Sequence, residues 1–419
     1  MPTLIRALFM LLLTCLAAWG GTVEQKVPLQ DPEVERWLDG PNRRDFDWKV
    51  RIFGPWLTFQ QRYVVEAEVV LPVHKLVRAG VSFSDLRFVV KLKDRRGHWL
   101  PGRYHSLFAP PPDMAKAREI LLYTHFFVRP GSYAVVMAVY DGRTQRANVW
   151  RRQLEVTPPK EDSLPEAGRD LPEVEFPSGE GEPSPSGPAR LYLPVRNQRP
   201  VRLDVVVNLS LSDATNTRNS QAPDWVYRSN AGILLQIGKI LSQLELGQGC
   251  VRFSAIDILR QKVFADRRPV TEVNWGELFH SVATLERTKI DVRVLQEERA
   301  TAGTFARFLE QVSADTVACG MRDPKPGHVL LVISDAFLFP GNTQMAAVRR
   351  ELMPGAICYY LQMDPITGGR WDQIGRVLSP LHPKHWEFSD ATRFRKVIAE
   401  LIADLERIPP NGAQVPPPP

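Results

Sequence analysis

Leu203-Asp204-Val205-Val206-Val207-Asn208-Leu209-Ser210-Leu211-Ser212 is the stretch that decides the fold. Its first half is apolar and β-branched, broken once by Asp204, as in a strand buried on both faces. Its second half alternates leucine with small polar residues, so the strand ends in an amide and a pair of hydroxyls. Downstream, Ile233, Leu234, Ile237, Ile240, Leu241 and Leu244 recur at helical spacing and stop at Gly247. A buried strand feeding an amphipathic helix is how a parallel sheet begins, because parallel neighbours need a crossover.

The alternation continues. Residues 251–258 and 263–264 predict a hairpin, 275–285 and 305–312 helices, and 328–334 a buried strand. Residues 345–352 predict a helix, 356–361 a strand and 391–405 a final amphipathic helix. Over 195–408 this order predicts an α/β, doubly wound fold with a central, mostly parallel sheet and helices on both faces. Ligands in such sheets bind at the carboxyl ends of the strands, where the serine pair and Asp335 lie.

The first half of the chain is different. Tyr63, Val65, Ala67, Val69 and Leu71 alternate with Glu66 and Glu68, and Leu86, Phe88, Val90 and Leu92 repeat the pattern. Runs at 120–127, 133–140 and 147–156 follow, separated by turn signals such as Pro130-Gly131 and Asp141-Gly142. About seven short strands between 48 and 157, with a helical signal only at 113–118, predict an antiparallel sandwich. Pro130-Gly131-Ser132-Tyr133, followed by Val135-Val136 and Tyr140-Asp141, resembles the late hairpin of immunoglobulin-like bacterial modules, which speaks to fold and not to function.

Arg6 and the apolar stretch 7–18 predict a secretory signal, with cleavage after Gly20 in the small-x-small sequence Ala18-Trp19-Gly20. An uncleaved signal would leave the protein membrane-anchored; otherwise it is secreted or periplasmic, and no later segment is long enough to span a membrane. Removing the signal removes Cys15 and leaves Cys250, Cys319 and Cys358, an odd count that predicts buried free thiols. Residues 158–190 form a linker, whose stretch 158–188 holds many prolines and eight acidic side chains against Lys160 and Arg169, a composition expected to stay extended. The tail, 409–419, ends in four prolines and is expected to be unfolded. Hydrophobic content of 44% and charged content of 24% over 419 residues are those of a two-domain globular protein. The net charge of +6 is scattered over pairs such as Arg43-Arg44, Arg151-Arg152 and Arg267-Arg268, which argues against nucleic acid.

The order of parts in 198–408 resembles a von Willebrand factor A domain and its metal-ion-dependent adhesion site. That family opens with Asp-x-Ser-x-Ser; here Asn208, Ser210 and Ser212 stand in those positions. The family's Ser-Asp-Gly strand end is matched by Ser334-Asp335-Ala336, and its second-loop threonine by Thr304, with Thr301 and Thr288 as alternatives. An exported sandwich joined to such a domain is also similar to the von Willebrand factor A-related proteins of acidobacteria. The resemblance implies Mg²⁺ held by Asn208, Ser210, Ser212, Thr304 and Asp335, with a carboxylate of a protein partner completing its coordination. Asparagine at 208 removes one negative charge beside the dication, several kcal/mol of attraction by order of magnitude, so the site is degenerate. Without metal, Ser210, Ser212 and Thr304 would satisfy backbone groups at strand-to-helix junctions.

Other chemistry is poorly represented. His382-Pro383-Lys384-His385 has no third metal ligand nearby, and no glycine-rich phosphate loop follows a strand. Ser334-Asp335 lacks a positioned base. The expected function is that of an exported, non-enzymatic protein for protein binding or cell adhesion, or else a structural component of the cell envelope.

Overall fold

Alternating apolar residues at 63–71 need a second apolar face to cover them, and the computed structural model supplies it. It describes residues 37–81, 85–107, 118–177, 190–210, 224–284, 302–315, 326–337, 344–363 and 372–408. The signal, the helical signal at 113–118 except Arg118, the Pro-rich tail and Cys319 lie outside them. Two compact units separate: Met1–Thr58 with Arg62–Asp162 and Leu171–Ala189, and Phe59–Gln61 with Ser163–Asp170 and Arg190–Pro419.

The first unit contains strands β1 (Arg43–Arg44), β2 (Lys49–Leu57), β3 (Tyr63–Pro72), β4 (Leu86–Lys93), β5 (Arg103–Leu107), β6 (Glu119–Val128), β7 (Gly131–Asp141), β8 (Arg146–Val156) and β9 (Val174–Glu175), and a short helix α1 (Val73–Arg78). They form two antiparallel sheets, ordered β1-β8-β7-β4-β5 and β2-β3-β6-β9. Val65, Ala67, Val69 and Phe126 of the second sheet share one core with Phe88, Val90, Val135 and Met137 of the first. Buried Asn148 fixes the way in: its Oδ1 accepts from the amides of Asp45 (2.7 Å) and Phe46 (3.1 Å), and its Nδ2 donates to the Phe46 carbonyl (2.7 Å).

The described part of the proline-rich stretch, 158–177, departs from the extended course expected of it. Val174–Glu175 pairs with β6, and Phe176 lies 5.2 Å from the Phe126 ring. In the second unit, the Ala167 carbonyl accepts from the Tyr192 amide (2.9 Å), and Arg169 covers the Tyr192 ring. Ala167, Leu171 and Val174 are buried. These small and apolar residues bury enough surface to order the segment, which the proline and acid content alone obscures.

The second unit contains β10 (Pro194–Val195), β11 (Val201–Asn208), α2 (Asp224–Leu241), β12 (Glu245–Leu246), β13 (Gly249–Asp257), β14 (Lys262–Pro269), α3 (Trp275–Ala283), α4 (Thr304–Ala314), β15 (Gly327–Asp335), β16 (Ile357–Met363), α5 (Gln373–Leu378), β17 (Lys384–Phe388) and α6 (Ala391–Glu406). A mixed sheet runs β14-β13-β11-β15-β16-β17, with every neighbouring pair parallel except the β13–β14 hairpin. Val206, Leu330, Val332 and Tyr360 share a core with Phe305 and Leu309 of α4 and Val377 of α5. Val207 turns the other way, to Gly238 of α2.

Two expectations are corrected here. Residues 345–352 are not a helix; only a 3-10 turn at Arg350–Leu352 forms. The Ala346 amide donates to the Ala302 carbonyl and that of Val348 to Val377, so the backbone is satisfied by distant segments and its apolar side chains reach the core without helical bonds. Among the cysteines, Cys358 is a buried free thiol whose pKa burial pushes up to about 12, but Cys250 is disulfide-bonded. Cys250 is half-buried, whereas Cys358 is enclosed by the core.

Two glycines of α2 test this packing. A Cβ on Gly238 would stand 2.5 Å from Val207 Cγ2, whereas one on Gly232 would meet nothing within 4 Å. Gly232→Ala is expected to stabilise the protein by about 1 kcal/mol through helix propensity. Gly238→Ala is expected to destabilise it by up to about 2 kcal/mol, overpacking outweighing the same gain. Urea denaturation of the two variants checks the opposite signs.

Candidate functional site

From β11 the chain passes to β13 on one side and later returns to β15 on the other, so the switch point of the sheet lies between β11 and β15. The polar residues at the carboxyl ends of these strands meet there. Asn208 is wholly buried; its Nδ2 donates to Ser334 Oγ across the switch point (3.0 Å), and its Oδ1 accepts from the Ser210 amide (3.0 Å). Ser334 passes the chain on by donating to the Asp335 carbonyl (2.7 Å), and Asp335 Oδ1 accepts from the Ala336 amide (2.8 Å).

Ser210 is equally committed. Its hydroxyl donates to Asp257 Oδ1 (2.9 Å) and accepts from the amides of Ile258 and Leu259. Asp257, fully buried at the end of β13, also accepts from the Arg260 amide and its guanidinium. This carboxylate was not among the residues singled out in the sequence, although an aspartate closing the apolar run 251–258 was the available signal. Beyond β15, Asp372 caps α5 and takes the Phe337 amide, tying the strand end to that helix.

Of the residues expected to form the site, the structure joins Asn208, Ser210 and, through Ser334, Asp335. Thr304 opens α4 and accepts from Arg307 (3.2 Å). The far end of α4 is held beside the starts of β11 and β13, and 11 residues of helix span about 16 Å, which brings Thr304 back toward the carboxyl ends. Ser212, Thr301 and Thr288 lie outside the described residues.

A magnesium site needs oxygen lone pairs aimed at one point. A hydroxyl has one proton and two lone pairs, and all three of Ser210's are engaged by the protein. The Asn208 oxygen is turned to the Ser210 amide and its nitrogen to Ser334. So arranged, Ser210 offers no lone pair to a divalent cation, and it and Asn208 are held by hydrogen bonds within the protein.

A second buried polar cluster occupies the opposite ends of the same strands. Asp204 Oδ1 accepts from Arg252 Nε (2.6 Å), and its Oδ2 meets Arg202 Nε (3.1 Å) and His328 Nε2 (3.0 Å). Arg252 reaches on to Asp315 (2.9 Å) and the Val312 carbonyl (3.1 Å), and Arg202 to the Ser313 carbonyl (3.0 Å). Two guanidiniums thus satisfy the last carbonyls of α4, where the helix dipole favours cations. With His328 neutral, two arginines balance two aspartates. Burial alone would raise the Asp204 pKa, but hydrogen bonds from His328 and Arg252 hold it below the usual carboxylate value. Burial, with Arg202 and Arg252 nearby, lowers that of His328 against the pull of Asp204.

No family model matches the sequence, and no curated protein does. Among solved structures, the C-terminal domain of Wzt is 18% identical over 27% of this chain and 72% of its own, with a TM-score of 0.17. A glycosyl hydrolase family 2 member from Bacteroides cellulosilyticus is 10% identical over 70% of this chain and 36% of its own, with a TM-score of 0.20. A family 123 glycoside hydrolase from Clostridium perfringens is 6% identical over 81% of this chain and 72% of its own, with a TM-score of 0.23. The chain thus spans about a third of the family 2 enzyme. At these TM-scores the likenesses carry neither a fold nor an activity.

The charged cluster makes stability depend on pH with a definite sign. The folded His328 pKa lies below its unfolded value of about 6.5, so the unfolded chain binds more protons once pH falls beneath that point, and stability is lost. Asp204, also lowered, adds a loss in the same direction, but only below the ordinary carboxylate range. Between pH 7.5 and 5, the denaturation midpoint of His328→Gln is expected to change less than that of the wild type.

Proposed function

We propose that the protein is an exported, non-enzymatic binding protein, an immunoglobulin-like sandwich followed by a doubly wound, von Willebrand factor A-like module that holds a protein partner. The observation that carries this reading is the meeting of Asn208-Leu209-Ser210 with Ser334-Asp335 across the switch point, in the order the resemblance requires. The shared core of two antiparallel sheets supports the sandwich. Helices that reach Val206 and Val207, on opposite faces of β11, support the doubly wound module.

Export is supported by the disulfide at Cys250, since such bonds persist in oxidising compartments. A binding role, and not a catalytic one, is supported by the burial of the candidate nucleophiles. Ser210 and Ser334 are wholly enclosed and donate to Asp257 and to a carbonyl. A nucleophile needs a base and an approach for substrate.

The test is affinity capture from the secreted and envelope fractions of the source cells, followed by cross-link mapping. One stoichiometric polypeptide is expected, with cross-links at the carboxyl edge of the second unit's sheet near Arg260 and Thr304. Recovery of the protein in the envelope with no stoichiometric partner would favour the structural-component reading.

A further inference from the structure

Asn208 does in this molecule what a bound cation would do in the family it resembles. We propose that its side-chain amide is a built-in, uncharged replacement for the metal, locking β11 to β15 so that the carboxyl-end site is complete, and partners are bound, without divalent ions. The comparison with a cation rests on the von Willebrand factor A-like reading; the lock itself does not.

The chemistry of the amide carries the argument. Joining these two loops takes a group that donates toward Ser334 and accepts from the Ser210 amide at once, and the Asn208 carboxamide does so from two separate atoms of one short side chain. An aspartate at 208 would have to accept from both. Ser334 would then turn its proton from the Asp335 carbonyl to the carboxylate, and a buried negative charge would remain without a counter-ion. A cation would resolve that charge; asparagine makes it unnecessary. Ser210 completes the closure, because its proton and both lone pairs are spent on Asp257, Ile258 and Leu259, leaving no lone pair for a metal.

The test is calorimetric titration of Mg²⁺ and Mn²⁺ into the full chain, with thermal unfolding in each ion and in EDTA. Wild type is expected to show no saturable heat and the same melting temperature in all three solutions. Asn208→Asp is expected to melt at least about 3 °C lower without divalent ions. Ser334→Ala, which strands the Asn208 donor without altering charge, is expected to shift the same way and serves if the aspartate variant does not fold.

Saturable binding by wild type that Asp335→Ala abolishes would overturn the proposal, as would Ser334→Ala and Asn208→Asp proteins as stable as wild type in EDTA. Recovery of Asn208→Asp by Mg²⁺ would support both the lock and the family reading. An Asn208→Asp protein destabilised yet indifferent to either ion would sustain the lock while counting against the family reading.

Discussion

Every residue of β11 is buried, and that one constraint organises the second unit. A polar group on a sealed strand has no water to turn to and costs several kcal/mol unless the protein partners it. Three such side chains sit on β11: Arg202, Asp204 and Asn208. Asp204 recruits Arg252 from one neighbour and His328 from the other, and the two arginines take the end of α4. Asn208 recruits Ser334. The strand thus places a helix at one of its ends and is tied to β15 at the other.

The two ends solve the same problem differently. At the start of the strand the solution is ionic, because long arginine stems reach an aspartate from adjacent positions and still extend to helix carbonyls. At its finish the solution is neutral, an amide serving as both donor and acceptor. Asn148 plays the same part in the first unit, gripping the backbone at 45–46 from within a sheet. In both places a carboxylate of equal size would lack the donor.

Much of the architecture is legible in the sequence. Period-two alternation in 63–71 and 86–92 marks antiparallel strands, and the run 203–207, apolar except for Asp204, marks a parallel one. What escapes is whatever depends on distant partners. Residues 345–352 have helix-like apolar spacing, yet Ala346 and Val348 bond to Ala302 and Val377, which no local pattern announces. Cys250 and Cys358 look alike in sequence, and each is the second residue of its strand, yet the first is half-buried and disulfide-bonded and the second a free thiol buried in the core. For the candidate site, Asn208, Ser210 and Asp335 were legible as polar residues at strand ends, but their bonds were not. Asp257 stands in the sequence as a carboxylate near the end of an apolar run, but its partnership with Ser210 follows only from β13 lying beside β11.

The charged cluster under α4 also limits how the sequence can drift. Loss of any one member leaves another charge sealed and uncompensated, a penalty of about 3–5 kcal/mol, whereas replacing the set together by well-packed apolar residues is close to neutral. Asp204, Arg252 and Asp315 come from three segments far apart in the chain, so no single mutation crosses from one state to the other. Related chains should therefore carry the cluster whole or lack it whole, and these positions should covary as a block, strongly epistatic within it.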